Sequence, residues 1–238
     1  MATSKENAKR KRAATDPIEI VNKKSDDQFV REHLCPSDPS WTSWTHPRTE
    51  ERYSLALISA GSLSSAEFAT CYHLIEETSR ADYEASTTGW KPVKKMAEMK
   101  SPELRYILVR DPEGDVRGFT SLMPTYEEGE PVVYCYEIHL KPELQRTGLG
   151  RLLMSLLESV IAHTPPIEKI MLTCFLRNQR ALAFYKSFGF AEDPISPVPK
   201  KLRYGRQFTP DYVIMSKTVE SKAISDTTFR RNPPGINR

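Results

Sequence analysis

One stretch limits what this chain can fold into more than any other: Tyr134-Cys-Tyr-Glu-Ile-His-Leu-Lys-Pro-Glu-Leu-Gln-Arg-Thr-Gly-Leu-Gly-Arg-Leu-Leu-Met154. The apolar and aromatic run over residues 132–140 predicts a strand. Residues 149–163 predict an amphipathic helix, with Leu152, Leu153, Leu156, Leu157, Val160 and Ile161 on one side. Between them lies Gln145-x-x-Gly148-x-Gly150. Glycines there let the backbone approach a bulky anion, and a helix N-terminus offers unpaired N–H groups with a favourable dipole. Arg146 and Arg151 can add charge, so the loop suits a pyrophosphate. The same glycines would also serve a plain turn. A Walker phosphate loop is excluded, because no Gly-Lys-Ser or Gly-Lys-Thr follows.

Around this segment the hydrophobic period changes twice. Residues 64–86 place Phe68, Cys71, Tyr72, Leu74, Ile75 and Tyr83 at helical spacing, with Ser64 or Ser65 as N-cap, Glu67 in the first turn and an expected break near Ser79. A shorter helix is expected after Trp90, from the spacing of Val93, Met96 and Met99. Tyr106-Ile-Leu-Val-Arg and residues 116–123 then read as strands joined by the turn Asp111-Pro-Glu-Gly-Asp. Downstream, residues 169–175 predict a buried strand, 178–188 a helix closed by Gly189, and 212–217 a last strand. The fold class is therefore α/β, in the α+β sense, with a mainly antiparallel first half.

The chain has 238 residues, 39% hydrophobic and 27% charged, enough for one main core. With no apolar run near membrane length and no signal-peptide core, we expect a soluble intracellular protein without membrane contact. Cys35, Cys71, Cys135 and Cys174 form no CxxC pair and no spacing with histidine that fits zinc, so no metal is expected. The net charge of +3 conceals a division: residues 1–24 carry +4, residues 217–238 carry +3, and the body between them carries −4. Lys9-Arg10-Lys11-Arg12 is either a nuclear-import signal, a nucleic-acid contact or a solvated run. The expected organisation is a basic tail over residues 1–30, an irregular Pro/Trp segment over 31–63 pinned by Trp41 and Trp44, a catalytic domain over 64–219, and a basic tail over 220–238.

The motif that begins at Gln145 is followed by Leu172-Thr-Cys-Phe-Leu-Arg-Asn178 and by Ala181-Leu-Ala-Phe-Tyr185-Lys-Ser-Phe-Gly-Phe190. Together they resemble the GNAT acetyltransferase superfamily over roughly residues 132–190. Tyr134-Cys-Tyr-Glu, Lys169-Ile-Met-Leu-Thr, Arg80-Ala-Asp-Tyr83, Gly89-Trp90-Lys91 and Tyr212 are similar to its NatD branch, the N-terminal acetyltransferases of core histones that begin Ser-Gly-Arg-Gly. The resemblance implies a GNAT acyl-CoA N-acyltransferase fold, a mixed sheet flanked by helices whose splayed strands hold acetyl-CoA. It places Ile138, His139 and Leu140 along the pantetheine. Arg146, Thr147, Gly148, Leu149, Gly150 and Arg151 would surround the pyrophosphate, with Thr173 and Asn178 completing the cofactor wall. Tyr83, Trp90, Tyr136, Glu137 and Tyr212 would surround the peptide N-terminus. It also implies histone N-terminal peptides as partners and residence in nucleus and cytoplasm, while a requirement for a ribosome or a nucleosome stays open.

A terminal α-amine with a pKa of about 7.7 to 8.0 must lose a proton to attack a thioester. Glu137 is the first candidate base, with a pKa expected to be raised beside the tyrosine rings; its alternative role is to grip the substrate ammonium. His139 is the reserve base, and strict alternation puts it on the same strand face as Glu137. Tyr185 matches the position from which many GNAT enzymes protonate the departing thiolate; packing against the cofactor is its alternative role. Glu127, in the acidic turn before the site strand, is a candidate partner for the substrate arginine. Two other readings stay open: a GNAT enzyme acting on lysine or small amines, and a non-catalytic chromatin or nucleic-acid binder.

Overall fold

The computed structural model describes residues 16–35, 39–201 and 207–219. Its centre is an eight-stranded sheet ordered β1-β2-β3-β4-β5-β6-β10-β7. The strands are β1 (Ser43–Thr45), β2 (Arg52–Ser59), β3 (Arg105–Arg110), β4 (Val116–Glu127), β5 (Glu130–Leu140), β6 (Lys169–Phe175), β7 (Ala191–Glu192) and β10 (Tyr212–Thr218). A separate two-stranded ribbon joins β8 (Lys200–Lys201) to β9 (Gln207–Phe208). The sheet is antiparallel except where β5 meets β6. That parallel pairing covers only Val132–Lys169, Val133–Ile170 and Tyr134–Met171. Beyond Tyr134 the two strands part, leaving the β6-facing backbone edge of β5 open from Cys135 to Leu140.

Helices cover both faces. α5 (Leu149–Ala162) buries Leu149, Leu153, Met154, Leu156, Leu157, Val160 and Ile161 against one face, together with Leu182 and Tyr185 of α6 (Gln179–Ser187). The predicted Leu152 lies at the margin of that stripe, partly buried. On the other face, α3 (Ser65–Glu84) and α4 (Pro92–Met99) pack Cys71, Leu74, Ile75 and Met99 against Tyr106, Leu108 and Phe119. α3 starts with a capping box in which Ser64 Oγ accepts the Glu67 N–H and Glu67 accepts the Ser64 N–H. It runs unbroken through Ser79, where a break was expected.

The N-terminal third departs most from the sequence reading. Helices α1 (Pro17–Asn22) and α2 (Asp26–Phe29) lie within the stretch read as a tail, and Phe29 and Leu34 are fully buried. Arg105 fixes them: its guanidinium donates to the carbonyls of Asn22 (3.0 Å) and Lys24 (2.8 Å) and lies 4.3 Å from the Phe29 ring centre. The segment read as irregular contains β2, a full partner of β3 over six residue pairs. Its Tyr53, Leu55 and Leu57 alternate inward, a period-two signal present in Arg52-Tyr-Ser-Leu-Ala-Leu-Ile-Ser59. Trp41 is buried, and Trp44 packs on His46 and Tyr53 at 5.6 Å. The Lys9–Arg12 run and the 220–238 tail lie outside the described residues. Among the described residues no helix is long and apolar enough to cross a membrane, and no cluster of metal-ligating side chains forms.

Candidate active site

The open V between β5 and β6 and the loop at its mouth form one continuous site. Gln145 Nε2 donates to the Leu140 carbonyl at 3.1 Å, tying the loop to the end of β5. Thr147 Oγ1 donates to the Leu144 carbonyl at 2.5 Å. Gly148, at φ 92°, is the N-cap of α5, and no N-cap side chain closes the helix. A residue with a Cβ is strained at that φ, so Gly148 is there for the backbone it permits. At the helix start the Leu149 N–H makes a long contact to Thr147 Oγ1 at 3.5 Å, which leaves the N–H groups of Gly150 and Arg151 to take an anion. A cavity of about 780 Å³ opens beside it, lined by Arg48, Thr78, Gln145, Arg146 and Arg180 among others.

These features fit acetyl-CoA: an open strand edge at Ile138, His139 and Leu140, an uncapped helix start, and a cationic cavity. Some residues expected on the cofactor have partners within the protein. The Arg151 guanidinium donates to the Ser187 carbonyl and hydroxyl and sits 5.8 Å from the Phe188 ring centre, so in this structure α6 holds it. Asn178 Oδ1 caps α6 by accepting the Ala181 N–H at 3.0 Å. Thr173 pairs with the Tyr134 hydroxyl at 2.6 Å across the point where β5 and β6 separate. Arg48 and Arg180, which the sequence reading passed over, stand on the cavity wall instead. Arg48 could not be found by motif, because it reaches the loop only through the tertiary fold.

Of the residues expected around the acceptor amine, Trp90 and Tyr136 pack on the face covered by α3 and α4. Tyr83 touches Trp90 at 5.4 Å and Phe175 at 4.8 Å, and Trp90 touches Tyr72 at 6.0 Å. The Trp90 Nε1–H is buried without an acceptor among the described residues. Tyr212 is the register partner of Phe175, and Tyr136 packs on Tyr134 at 5.1 Å. Glu127 ends β4; burial and the Glu128 charge push its carboxyl up, and no cation pairs with it among the described residues. Glu130, by contrast, is held by Lys169 at 2.5 Å.

Glu137 differs most from expectation. A β-bulge leaves Tyr136 without a partner in β4: Ser121 pairs with Glu137 and Leu122 with Cys135. Strict alternation would put Cys135, Glu137 and His139 on one face. The bulge instead turns Cys135 into the α5 core, while Glu137 and His139 reach α4 and α3. Glu137 Oε1 accepts from Lys95 Nζ at 2.8 Å and Oε2 from His139 Nε2 at 2.6 Å, and His139 Nδ1 pairs with Thr78 Oγ1 at 2.5 Å. Burial pushes the Glu137 carboxyl up, but the hydrogen bond and charge of His139 and those of Lys95 outweigh it and hold the carboxyl at about 2. The expected raised pKa is therefore corrected to a lowered one. Lys95 is 6% exposed, 5.1 Å from the Tyr83 ring centre and 2.8 Å from Glu98. Burial pushes its ammonium down, but Glu137, Tyr83 and Glu98 carry it above its ordinary 10.5. No motif flags Lys95.

Tyr185 is buried on the α6 side beside Phe184 and Phe190, at 5.3 and 5.8 Å. Burial, with Cys135, Cys174 and Glu137 nearby, pushes its phenol well above 10, so it carries its proton at neutral pH. Burial likewise raises the Cys135 thiol to about 12, which suits a core thiol rather than a nucleophile.

Residues 68–190 match the model of the acetyltransferase (GNAT) family. The chain is 33% identical over 153 residues to N-alpha-acetyltransferase 40 of Saccharomyces cerevisiae, a match covering 54% of this chain and 53% of the relative. The chain thus spans about half the length of that curated relative. Among solved structures, an acetyltransferase of the GNAT family from Staphylococcus aureus Mu50 superposes with a TM-score of 0.51 at 11% identity, covering 70% of this chain and 100% of that one. Arabidopsis thaliana NAA60, solved with a bisubstrate analogue, gives 0.50 at 9% identity over 71% of this chain and 99% of that one. At these identities the structural likenesses speak for the fold alone.

Proposed function

Because the chain belongs to the GNAT acetyltransferase family, we propose that it acetylates the α-amine of protein N-termini that begin Ser-Gly-Arg-Gly, as core histones do. The observation that carries this reading is the packing of Tyr83, Trp90 and Tyr136 on the face that holds the buried Lys95–Glu137–His139 chain, an aromatic wall that favours a small first residue. Similarity to N-alpha-acetyltransferase 40 over about half the chain supports it. A −4 body charge and the unpaired Glu127 favour a basic peptide.

Acetyl-CoA, when bound, supplies an activated thioester; the residues of the open β5 edge, the α5 start and Arg146 hold it. The chain's own side chains do the rest. Glu137, ionised throughout the physiological range, has its two oxygens held by Lys95 and His139, so it orients that cluster beside the incoming amine rather than gripping the ammonium itself. A carboxyl held near 2 is a weak proton acceptor for an amine, so its main contribution is position and electrostatics. Near pH 7.5 roughly a third of an ordinary α-amine is already neutral. The buried Trp90 Nε1–H is left to donate to a peptide carbonyl, Glu127 to pair with the arginine at the third position, and Tyr185 to hold a proton at its hydroxyl for the leaving side of the reaction.

The test is an acetylation assay with a peptide beginning Ser-Gly-Arg-Gly-Lys, its N-terminally blocked form, and the form with Arg replaced by Ala. Equal modification of blocked and free peptides would move the activity to lysine side chains and refute α-amine transfer. An unchanged rate with the Ala peptide would refute the role of Glu127 while leaving the enzyme class intact.

A further inference from the structure

The turn between β1 and β2 lies outside the residues that match the family, yet it is built onto the mouth of the phosphate loop. His46 is 4% exposed. Its Nδ1 accepts the N–H of Arg48 at 3.2 Å and of Thr49 at 3.1 Å. An Nδ1 that accepts leaves the proton on Nε2, which points at the Glu143 carbonyl 3.4 Å away. Glu143 belongs to the short turn Pro142–Leu144, immediately before Gln145. One buried imidazole therefore both shapes the 46–49 turn and fixes it against the loop, with Trp44 packed edge-on at 5.6 Å.

This arrangement delivers Arg48 to the cavity wall, where Arg146 and Arg180 also stand. All three side chains are exposed, and none pairs with a carboxylate among the described residues. Glu77, the acid on that wall, is held by Lys141 at 2.6 Å. Three unpaired guanidinium groups around one cavity repel each other until an anion enters. A pyrophosphate diester carries two charges, which the α5 start and Arg146 suffice to meet. Arg48 and Arg180 are then surplus, and they match the one phosphate of coenzyme A that remains: the 3′-phosphomonoester, close to doubly charged at neutral pH and shaped for a guanidinium fork.

We propose that Arg48, with Arg180, forms a phosphomonoester site that receives the 3′-phosphate of coenzyme A, so that a turn outside the family domain completes the cofactor site. The proposal rests on the acetyl-CoA reading above. Titration calorimetry of the full chain with coenzyme A and with dephospho-coenzyme A, which lacks only that phosphate, separates the two. The wild type should bind coenzyme A on the order of ten-fold more tightly than the dephospho form. Arg48→Ala and Arg180→Ala should each lose most of that preference while binding the dephospho form within about two-fold of wild type. His46→Leu, with its melting temperature checked, should lose the preference with Arg48 still present. Equal weakening toward both ligands would put Arg48 on the pyrophosphate and overturn the proposal, and so would an unchanged affinity for coenzyme A. A wild type that binds neither ligand would refute the cofactor reading itself.

Discussion

Lys95→Met removes one of the two hydrogen-bond donors that keep Glu137 charged inside the protein, and its consequences can be worked from the geometry. The side chains of Lys95 and Glu137 are 7% and 11% exposed, so solvent screens their 2.8 Å contact little. A carboxyl moved from 4.5 to about 2 is stabilised in its charged form by roughly 3 kcal/mol. Lys95 and His139 share that stabilisation after both have offset the cost of burial. In a double-mutant cycle of Lys95→Met and Glu137→Gln, urea unfolding at pH 7.5 should give a coupling of about 2 kcal/mol. The sign with pH is fixed by the direction of the shift. Because the folded pKa is depressed, Glu137 contributes its full stabilisation above about 4.5 and loses it as pH falls toward 2. The stability gap between wild type and Glu137→Gln should therefore stay constant from pH 8 to 5 and narrow below. Lys95→Met should move that narrowing to higher pH, since Glu137 then keeps His139 alone. A coupling below about 0.5 kcal/mol, or a gap indifferent to pH between 5 and 3, would refute a locked Glu137 and restore it as a candidate base.

Other positions give simpler expectations. Leu157→Ala, in the fully buried stripe of α5, should cost about 3 kcal/mol of unfolding free energy in a denaturant melt. Ser64→Ala breaks the α3 capping box and should cost about 1 kcal/mol by the same measurement. Gly148→Ala puts a Cβ on a backbone at φ 92° and should weaken coenzyme A binding by calorimetry, with a stability loss of about 1 kcal/mol. Trp90→Phe removes a buried, unanswered N–H while keeping an aromatic ring. It should leave stability nearly unchanged and raise the KM for the peptide several-fold in a steady-state assay, a result that a purely structural Trp90 would not give.

Local patterns revealed the half of the fold from β3 onward. The α5 stripe, the closing Gly189 and the strands at 106–110 and 169–175 follow from hydrophobic period and turn chemistry, and those signals survive packing. The N-terminal third was harder to read for a physical reason. α1 and α2 are six and four residues long, too short to hold a helical period, and Arg105 secures them across more than eighty residues of sequence by taking up the carbonyls of Asn22, at the end of α1, and Lys24, between the two helices. β2 is different: its alternation is legible in Arg52-Tyr-Ser-Leu-Ala-Leu-Ile-Ser59, but it directly follows a Pro- and Trp-rich stretch that has no period of its own. Arg48 and Lys95 were invisible in principle, since each gains its meaning from partners that the chain brings close only on folding.

The bulge at Tyr136 explains why a strand motif can be recognised while its side chains are misplaced. Residues of β5 were assigned to faces by counting in twos, and the count fails at one unpaired residue. Without the bulge, Glu137 would follow Cys135 into the α5 core, far from Lys95, and its carboxyl would be pushed up by burial with nothing to oppose it. With the bulge, Tyr136 and Glu137 are consecutive and yet serve the same face, so a ring and a fixed anion stand side by side at the open V. The one extra residue therefore decides whether position 137 holds a carboxylic acid that burial pushes toward protonation or an anion held by Lys95 and His139.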